Sequence, residues 1–206
     1  WKPLMSVAAL NHGYTTQSRL NCSSGLQVGN RVFKNYESAS FGSIDFAQAL
    51  QISCDTFFYR IGLGYWQRYG SDPKNLKAKD PLVAQAKEFG FGKPTGIDLP
   101  GESSGRIADR GWKQRYYESQ KGYYCDLDRH PEKAPNSYLR RFAHEFCLEG
   151  NLYRAGDAVN FSIGQGDTVV TPLQLARAYV ALANVVTLYV PRVSTAVLST
   201  SGEVVR

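Results

Sequence analysis

The chain has 206 residues, a net charge of +6 and a sequence pI near 9.1. Apolar residues make up 43% of it and charged residues 20%, a balance that allows a packed core and argues against global disorder. No apolar run approaches the ~18–20 residues that a membrane-spanning helix needs.

The first part of the sequence predicts one helix followed by a long polar segment. Pro3 and a partial helical period of apolar residues predict a short helix over residues 1–12. Residues 13–45 are rich in Gly, Ser and Asn. We expect a structured loop there, with Val32 and Phe33 as a short strand.

Residues 43–63 predict a helix that is interrupted once. Ser43 or Asp45 can cap its start, and the apolar period drifts at Ser53-Cys54-Asp55. A break at this tripeptide would place small polar side chains at the start of a helix, facing a cleft.

The next segments predict a helix, an edge strand and an insert. Asp80 can cap a helix over 81–89, which Gly90 would end. Turn residues then surround one short edge strand at Ile97–Leu99. Residues 113–156 have the character of an inserted subregion.

Within and after this insert, the apolar pattern changes period. Ser137 to Leu148 has helical periodicity, whereas Val159 to Ile163 predicts a strand that ends in Gly164-Gln165-Gly166.

The clearest local signal lies at residues 171–184. Thr171 can cap a helix there, and Gln174 completes a capping box. Its broad apolar face predicts a buried helix. The tail then alternates, which predicts strands over 187–190 and 193–198 and a hairpin turn at Ser201-Gly202. Helices with a late antiparallel element predict an α+β fold.

The polar residues alone indicate no familiar catalytic triad or cofactor site. His12, His130 and His144 are expected to be surface or capping groups. Gly164-Gln165-Gly166 lacks the third glycine of a dinucleotide site and the lysine of a P-loop, so we expect a tight turn and no cofactor. Basic residues cluster only at 106–115 and at Arg140-Arg141. Since a nucleic-acid binder needs a continuous basic stripe, nucleic acid is not the expected partner.

The cysteines leave three interpretations open. The chain has four widely spaced cysteines, which fits free buried thiols or one or two disulfides. Two of them bracket part of the insert, where they could combine with nearby histidines as zinc ligands. The candidate residues of that cluster are Cys125, Asp126, Asp128, His130, His144 and Cys147. Zinc, a Cys125–Cys147 disulfide and unpaired cysteines are all possible on spacing alone.

Four segments in a fixed order carry the functional signal. They are Trp1-Lys2-Pro3, Ser53-Cys54-Asp55, Phe91-Gly92-Lys93-Pro94-Thr95-Gly96-Ile97-Asp98-Leu99-Pro100-Gly101-Glu102, and Gly164-Gln165-Gly166-Asp167 leading into Thr171-Pro172-Leu173-Gln174-Leu175-Ala176. The first is similar to the end of an S-x-x-K-P motif and the second to an S-x-N/D motif. Together they resemble the class B penicillin-binding proteins, which are elongation-type peptidoglycan transpeptidases, and most closely the actinobacterial members. The resemblance runs along nearly all of the chain.

The resemblance implies a fold and an activity. The fold would be the α+β penicillin-binding transpeptidase (serine β-lactamase-like) fold, incomplete, with residues 1–206 as part of one domain and an insert around 113–156. The activity would be peptidoglycan cross-linking by serine acyl transfer on D-Ala-D-Ala stem peptides, together with binding of β-lactams.

The resemblance also implies roles for three residues. Lys2 would be the general base, on one helix face with a nucleophilic serine two positions before Trp1. Ser53 would hydrogen-bond Lys2 and relay a proton to the leaving amine. Asp55 stands where elongation-type members often carry Asp, although a plain helix cap is the alternative. The middle residue, Cys54, is expected to point away into packing.

The sequence departs from the family pattern in three places. The nucleophilic serine would precede Trp1, no Lys-Thr/Ser-Gly motif follows, and Asn184-Val185-Val186 stands where relatives usually have Asn-Gly-Gly. Valines at positive φ would be strained. We therefore expect these residues to be inactive alone and to belong to a longer parent chain. The alternative is an inert module that binds peptidoglycan or a cell-elongation partner.

Partners and location follow from the same resemblance. It implies stem peptides, β-lactams and a membrane-embedded glycosyltransferase of the elongation machinery as partners. The domain would lie on the extracytoplasmic face of the cell membrane, through an upstream anchor. That compartment favours the Cys125–Cys147 disulfide over zinc.

Overall fold

The computed structural model describes residues 1–72, 80–185, 187–196 and 198–205. The chain forms two compact units: unit 1 consists of Trp1–Gln85 and Ala108–Asp167, and unit 2 of Ala86–Ile107 and Thr168–Arg206. None of the helices in these described ranges is both long and apolar enough to cross a membrane.

The secondary structure is mainly helical, with short strands near the N-terminus. The helices are α1 (Lys2–Leu10), α2 (Phe46–Gln51), α3 (Asp55–Tyr69), α4 (Pro81–Glu88), α5 (Arg110–Arg129), α6 (Ser137–Glu149), α7 (Ala155–Ser162) and α8 (Pro172–Ala183). The strands are β1 (Leu20–Cys22), β2 (Gly25–Val28), β3 (Arg31–Lys34) and β4 (Gly42–Ile44). Antiparallel pairing joins β1 to β4 and β2 to β3.

The core of unit 1 is built around the packing of α3 against α7. Phe57 and Phe58 of α3 are fully buried. Gly62 of α3 lies so close to α7 that a Cβ there would be 2.6 Å from the carbonyl oxygen of Ala158. The expected strand from Val159 to Ile163 is wrong, because this segment continues α7 and places its apolar side chains against α3.

The segment before α2 is more ordered than the sequence indicated. The expectation of a loop over 13–45 is wrong, since the segment contains all of β1 to β4. Val32 and Phe33 do form a strand, as predicted, and Phe33 packs against Tyr59 of α3. Strands of three or four residues are held by pairing and packing across the fold, which composition does not reveal.

Two helix predictions for the first half of the chain are confirmed: the interrupted helix over 43–63 and the helix that Asp80 caps. Asp45 caps α2 through a capping box with Gln48, and the break before α3 falls at Ser53-Cys54, as predicted. At α4, the Asp80 carboxylate accepts the Leu82 N–H at 3.1 Å.

The predicted insert contains a disulfide-linked helical hairpin. Helices α5 and α6 pack against each other, and the Cys125–Cys147 disulfide joins them, which confirms that pairing. Aromatic rings of Tyr124, Phe142 and Phe146 fill the space between the two helices. A covalent link and packed aromatic rings therefore hold the hairpin together.

In unit 2, α8 has the predicted capping box of Thr171 and Gln174. The expected burial of its apolar face is wrong. Its buried side chains are those of Gln174, Ala178 and Ala181, whereas Tyr179 and Val180 are exposed. The buried stripe is therefore composed of small and polar residues.

The strands expected in unit 2 are mostly wrong. Ile97–Leu99 and Thr187–Val190 form no strand. Among the described residues of 193–198, only Leu198 pairs, bridging Val204 around the predicted turn. Residue 197 and Val186 lie outside the described residues. An alternating pattern needs a partner strand, and the described parts of unit 2 supply only isolated bridges.

Candidate active site

The first side chain of the candidate site, Lys2, is positioned by the packing of Trp1. The Trp1 ring stands edge-on to Phe161 at 5.3 Å between centroids, and its Nε1 donates to the Phe161 carbonyl at 2.6 Å. Gly164, with φ +81°, backs the same ring, because a Cβ there would be 2.7 Å from Trp1 Cγ. Gly164-Gln165-Gly166 is therefore a tight turn, as predicted, whose glycine lets α7 and the start of α1 approach each other.

The second and third side chains lie at the break between α2 and α3. Ser53 adopts φ +55°, and its N–H donates to the Leu50 carbonyl at 3.2 Å. Asp55 is the first residue of α3. Between them, Cys54 is fully buried, as expected, and is bonded to Cys22 at the end of β1.

The structure brings the three predicted site residues together. Lys2 Nζ donates to Ser53 Oγ at 2.8 Å and to the Ser53 carbonyl at 2.7 Å, and it lies 2.5 Å from Asp55 Oδ1. The Lys2 and Asp55 side chains are only 15% and 19% exposed. All three ammonium protons of Lys2 therefore have an acceptor. The arrangement can pass a proton between an amine and a hydroxyl while a carboxylate balances the charge.

Asn35 is a site residue that sequence reasoning missed. Its side chain is buried, and Oδ1 accepts the Asp55 N–H at 3.0 Å. Its Nδ2 donates to the Ala39 carbonyl at 3.0 Å and to Cys22 Sγ at 3.4 Å. Since Asn35 lies 20 residues before Asp55 and in no regular element, no local pattern could have indicated it.

The cluster that could have held zinc does not form. Cys125 and Cys147 are joined in a disulfide, which removes both thiolates as ligands. His144 instead lies 2.9 Å from Asp128, on an exposed face. Across the ranges that the structure describes, no group of three or more His, Cys, Asp or Glu side chains could hold a metal ion.

The glycine- and proline-rich segment after α4 makes its contacts within unit 2. Glu102 accepts from the Thr95 N–H and hydroxyl at 2.8 and 2.6 Å, and these bonds lower the pKa of Glu102. The buried Gln174 amide donates to the Lys93 and Ser104 carbonyls, each at 2.8 Å. The segment 91–102 and the segment around Gln174, two of the four sequence motifs, thus contact each other. These contacts order the backbone within unit 2.

Comparison with known proteins shows the family of the chain. The model of the penicillin binding protein transpeptidase domain matches residues 1–203. Peptidoglycan D,D-transpeptidase MrdA of Salmonella typhimurium (strain SL1344) is 28% identical over 186 residues, which are 89% of this chain and 23% of that protein. The chain therefore spans about a quarter of the length of the curated relatives it matches.

Solved structures show the same fold. Helicobacter pylori PBP2, in a complex with MreC, has a TM-score of 0.64 at 24% identity, over 93% of this chain and 28% of that one. Penicillin-binding protein A from M. tuberculosis, as an acyl-enzyme complex with ceftriaxone, has a TM-score of 0.63 at 17% identity, over 100% of this chain and 35% of that one. The predicted fold is confirmed.

Proposed function

The chain belongs to the penicillin-binding protein transpeptidase domain family, and on that premise we propose that it is part of a peptidoglycan D,D-transpeptidase. The whole protein would cross-link stem peptides by serine acyl transfer and would be acylated by β-lactams at the same serine. The observation that supports this most directly is the Lys2 ammonium, held between the Ser53 hydroxyl and the Asp55 carboxylate.

In the acylation step, each of the three side chains has a separate role. The nucleophilic serine, which the family motif places two positions before Trp1, adds to the carbonyl of the penultimate D-Ala while Lys2 acts as the base that takes its proton. As the C–N bond to the terminal D-Ala breaks, the leaving amine receives a proton through Ser53, whose Oγ is 2.8 Å from Lys2 Nζ. Asp55 stabilises the lysine in its charged form between these transfers. An acceptor amine then attacks the acyl-enzyme carbonyl and loses a proton to Lys2; the C–O bond to the serine breaks, and Lys2 returns a proton to the serine oxygen.

The surroundings of Lys2 favour such a transfer. Most of the lysine side chain is packed, and its Nζ reaches two oxygens of Ser53 and one of Asp55 at once. A general acid–base step in such a setting typically contributes about 10²–10⁴-fold to the rate.

We also propose the location and partners of the whole protein. Two disulfides, Cys22–Cys54 and Cys125–Cys147, are typical of an oxidising compartment and support a position outside the cytoplasmic membrane. The upstream membrane anchor and a glycosyltransferase of the elongation machinery follow from the family resemblance.

Acylation by a fluorescent penicillin tests the function in the whole protein. We expect one covalent adduct by intact mass, and a loss of about 100-fold or more in acylation rate for Lys2→Met. Lys121→Met is the matched control, because Lys121 is an exposed lysine whose ammonium contacts Glu118 and Tyr117 of its own helix, α5. Its acylation rate should be unchanged. If the unsubstituted protein forms no adduct, the inert peptidoglycan-binding alternative replaces this proposal. If Lys2→Met keeps the full rate, Lys2 is not the base.

A further inference from the structure

The turn that carries Ser53 has an unfavourable backbone conformation. Ser53 has φ +55°, in the left-handed region that residues with a Cβ seldom occupy. Helix α2 ends two residues before it, at Gln51, and helix α3 begins two residues after it, at Asp55. Such a conformation persists only where its surroundings hold it.

A disulfide is the first restraint on this turn. Cys54, directly between Ser53 and Asp55, is bonded to Cys22 of β1, and both side chains are fully buried. Cys22 is paired with Gly42 of β4, the strand that leads into α2. The bond therefore closes a ring through β1, β4 and α2 back to the turn itself.

Asn35 is the second restraint, and it touches both the turn and the disulfide. Its amide oxygen accepts the Asp55 N–H, and its amide nitrogen donates to the Cys22 sulfur. Because Asn35 is only 6% exposed, water is poorly placed to replace these bonds.

We propose that the Cys22–Cys54 disulfide and Asn35 are positioning groups of the active site, and that rapid acyl transfer requires the disulfide. This inference rests on the proposed function. The disulfide holds the two residues that contact Lys2, since Ser53 and Asp55 flank Cys54 in sequence. Without it, the turn is free to leave its left-handed conformation, which moves the Ser53 oxygens away from Lys2 Nζ.

The chain supplies its own matched control. The Cys22–Cys54 and Cys125–Cys147 disulfides span 32 and 22 residues, so their removal should lower stability to a similar extent. The second disulfide joins α5 to α6, and neither cysteine flanks a site residue. A difference in acylation rate between the two double variants therefore reflects where each disulfide lies relative to the site residues.

The experiment compares Cys22→Ala/Cys54→Ala with Cys125→Ala/Cys147→Ala in the whole protein. Fluorescent penicillin measures the fraction of molecules that become acylated, the dissociation constant of the initial complex and the first-order acylation rate. We expect the first variant to lose about 10–100-fold in acylation rate, with the acylated fraction and dissociation constant close to those of the control. Asn35→Ala, which keeps the disulfide, should lower the rate in the same way.

The outcomes separate the possible explanations. Equal acylation rates in the two double variants would overturn the inference. If Cys22→Ala/Cys54→Ala shows a reduced acylated fraction but an unchanged acylation rate, the disulfide only stabilises the fold, and the inference is also overturned. Should the first variant fail to fold, Asn35→Ala decides by the same two quantities. If the unsubstituted protein is not acylated, the proposed function fails, and this inference fails with it.

Discussion

Gly164→Ala tests whether the glycine turn determines the position of Lys2. Gly164 has φ +81°, and an added Cβ would lie 2.7 Å from Trp1 Cγ and 2.9 Å from Trp1 Cβ. These are the inner atoms of the indole side chain, so a small rotation of the ring does not relieve the clash. Trp1 would have to move, and Lys2 follows it directly in the chain.

Two terms determine the size of the effect. A left-handed backbone costs a residue with a Cβ about 1–2 kcal/mol. Overpacking at a site without space costs about 1–3 kcal/mol more. The expected loss is therefore about 2–5 kcal/mol, which for a domain of this size lowers the melting temperature by about 4–20 °C.

The control is Gly29→Ala, in the turn between β2 and β3. Gly29 has φ +58°, but an added Cβ there has no other atom within 4 Å, so only the backbone term applies. Thermal unfolding and penicillin acylation of both variants provide the comparison. We expect Gly164→Ala to lose more stability than Gly29→Ala and to be acylated more slowly. If the two variants are equal in stability, the contact with Trp1 is not what requires a glycine.

Three further predictions concern single residues outside the proposed site. Val185 has φ +61° and is 89% exposed, so Val185→Gly should raise stability by up to about 1 kcal/mol; a melting temperature that falls or stays the same contradicts this. Arg110→Met should lower the free energy of unfolding by about 3–5 kcal/mol, because it leaves the buried Asp80 carboxylate without its ion-pair partner. Adding Asp80→Asn should recover part of this loss in urea unfolding. No recovery would contradict a stabilising role for the ion pair. Hydrogen bonds from the Ser194 hydroxyl and nearby N–H groups lower the pKa of Asp98. The stabilising contribution of Asp98 is therefore complete above the ordinary Asp pKa and is lost as the pH falls through the lower pKa of the folded state. Ser194→Ala should raise the titration midpoint of the Asp98 carboxyl measured by NMR, and an unmoved midpoint would refute the role of Ser194.

Predictions from the sequence succeeded where the signal and the structure lie within a few residues of each other. The capping box of Asp45 with Gln48 spans one helical turn, as does that of Thr171 with Gln174. The break at Ser53-Cys54 was visible because the apolar period drifts at that point. Each of these features can be read without knowing what the helix packs against.

Predictions failed where a distant partner decides the local structure. Val159 to Ile163 is only five residues long and alternates apolar with polar side chains, and so short a segment fits a strand as well as the end of a buried helix. Its helical state depends on α3, where Gly62 allows the carbonyl of Ala158 to approach closely. In α8, the face with the large apolar residues, including Tyr179 and Val180, is largely exposed. Gln174 is buried instead, because its amide donates to two backbone carbonyls that are distant in sequence.

The same distinction separates the reacting groups of the proposed site from the groups that hold them. Lys2, Ser53 and Asp55 could be named from the sequence because the short motifs that contain them resemble those of a known family. Cys22 and Asn35 belong to no motif, since a restraint can be supplied by any residue that reaches the turn. Their effect on Ser53 depends on a 32-residue covalent loop and on a buried amide. It follows that chains with identical motifs can differ in how rigidly those motifs are held, and that acylation rate and not motif content measures this difference.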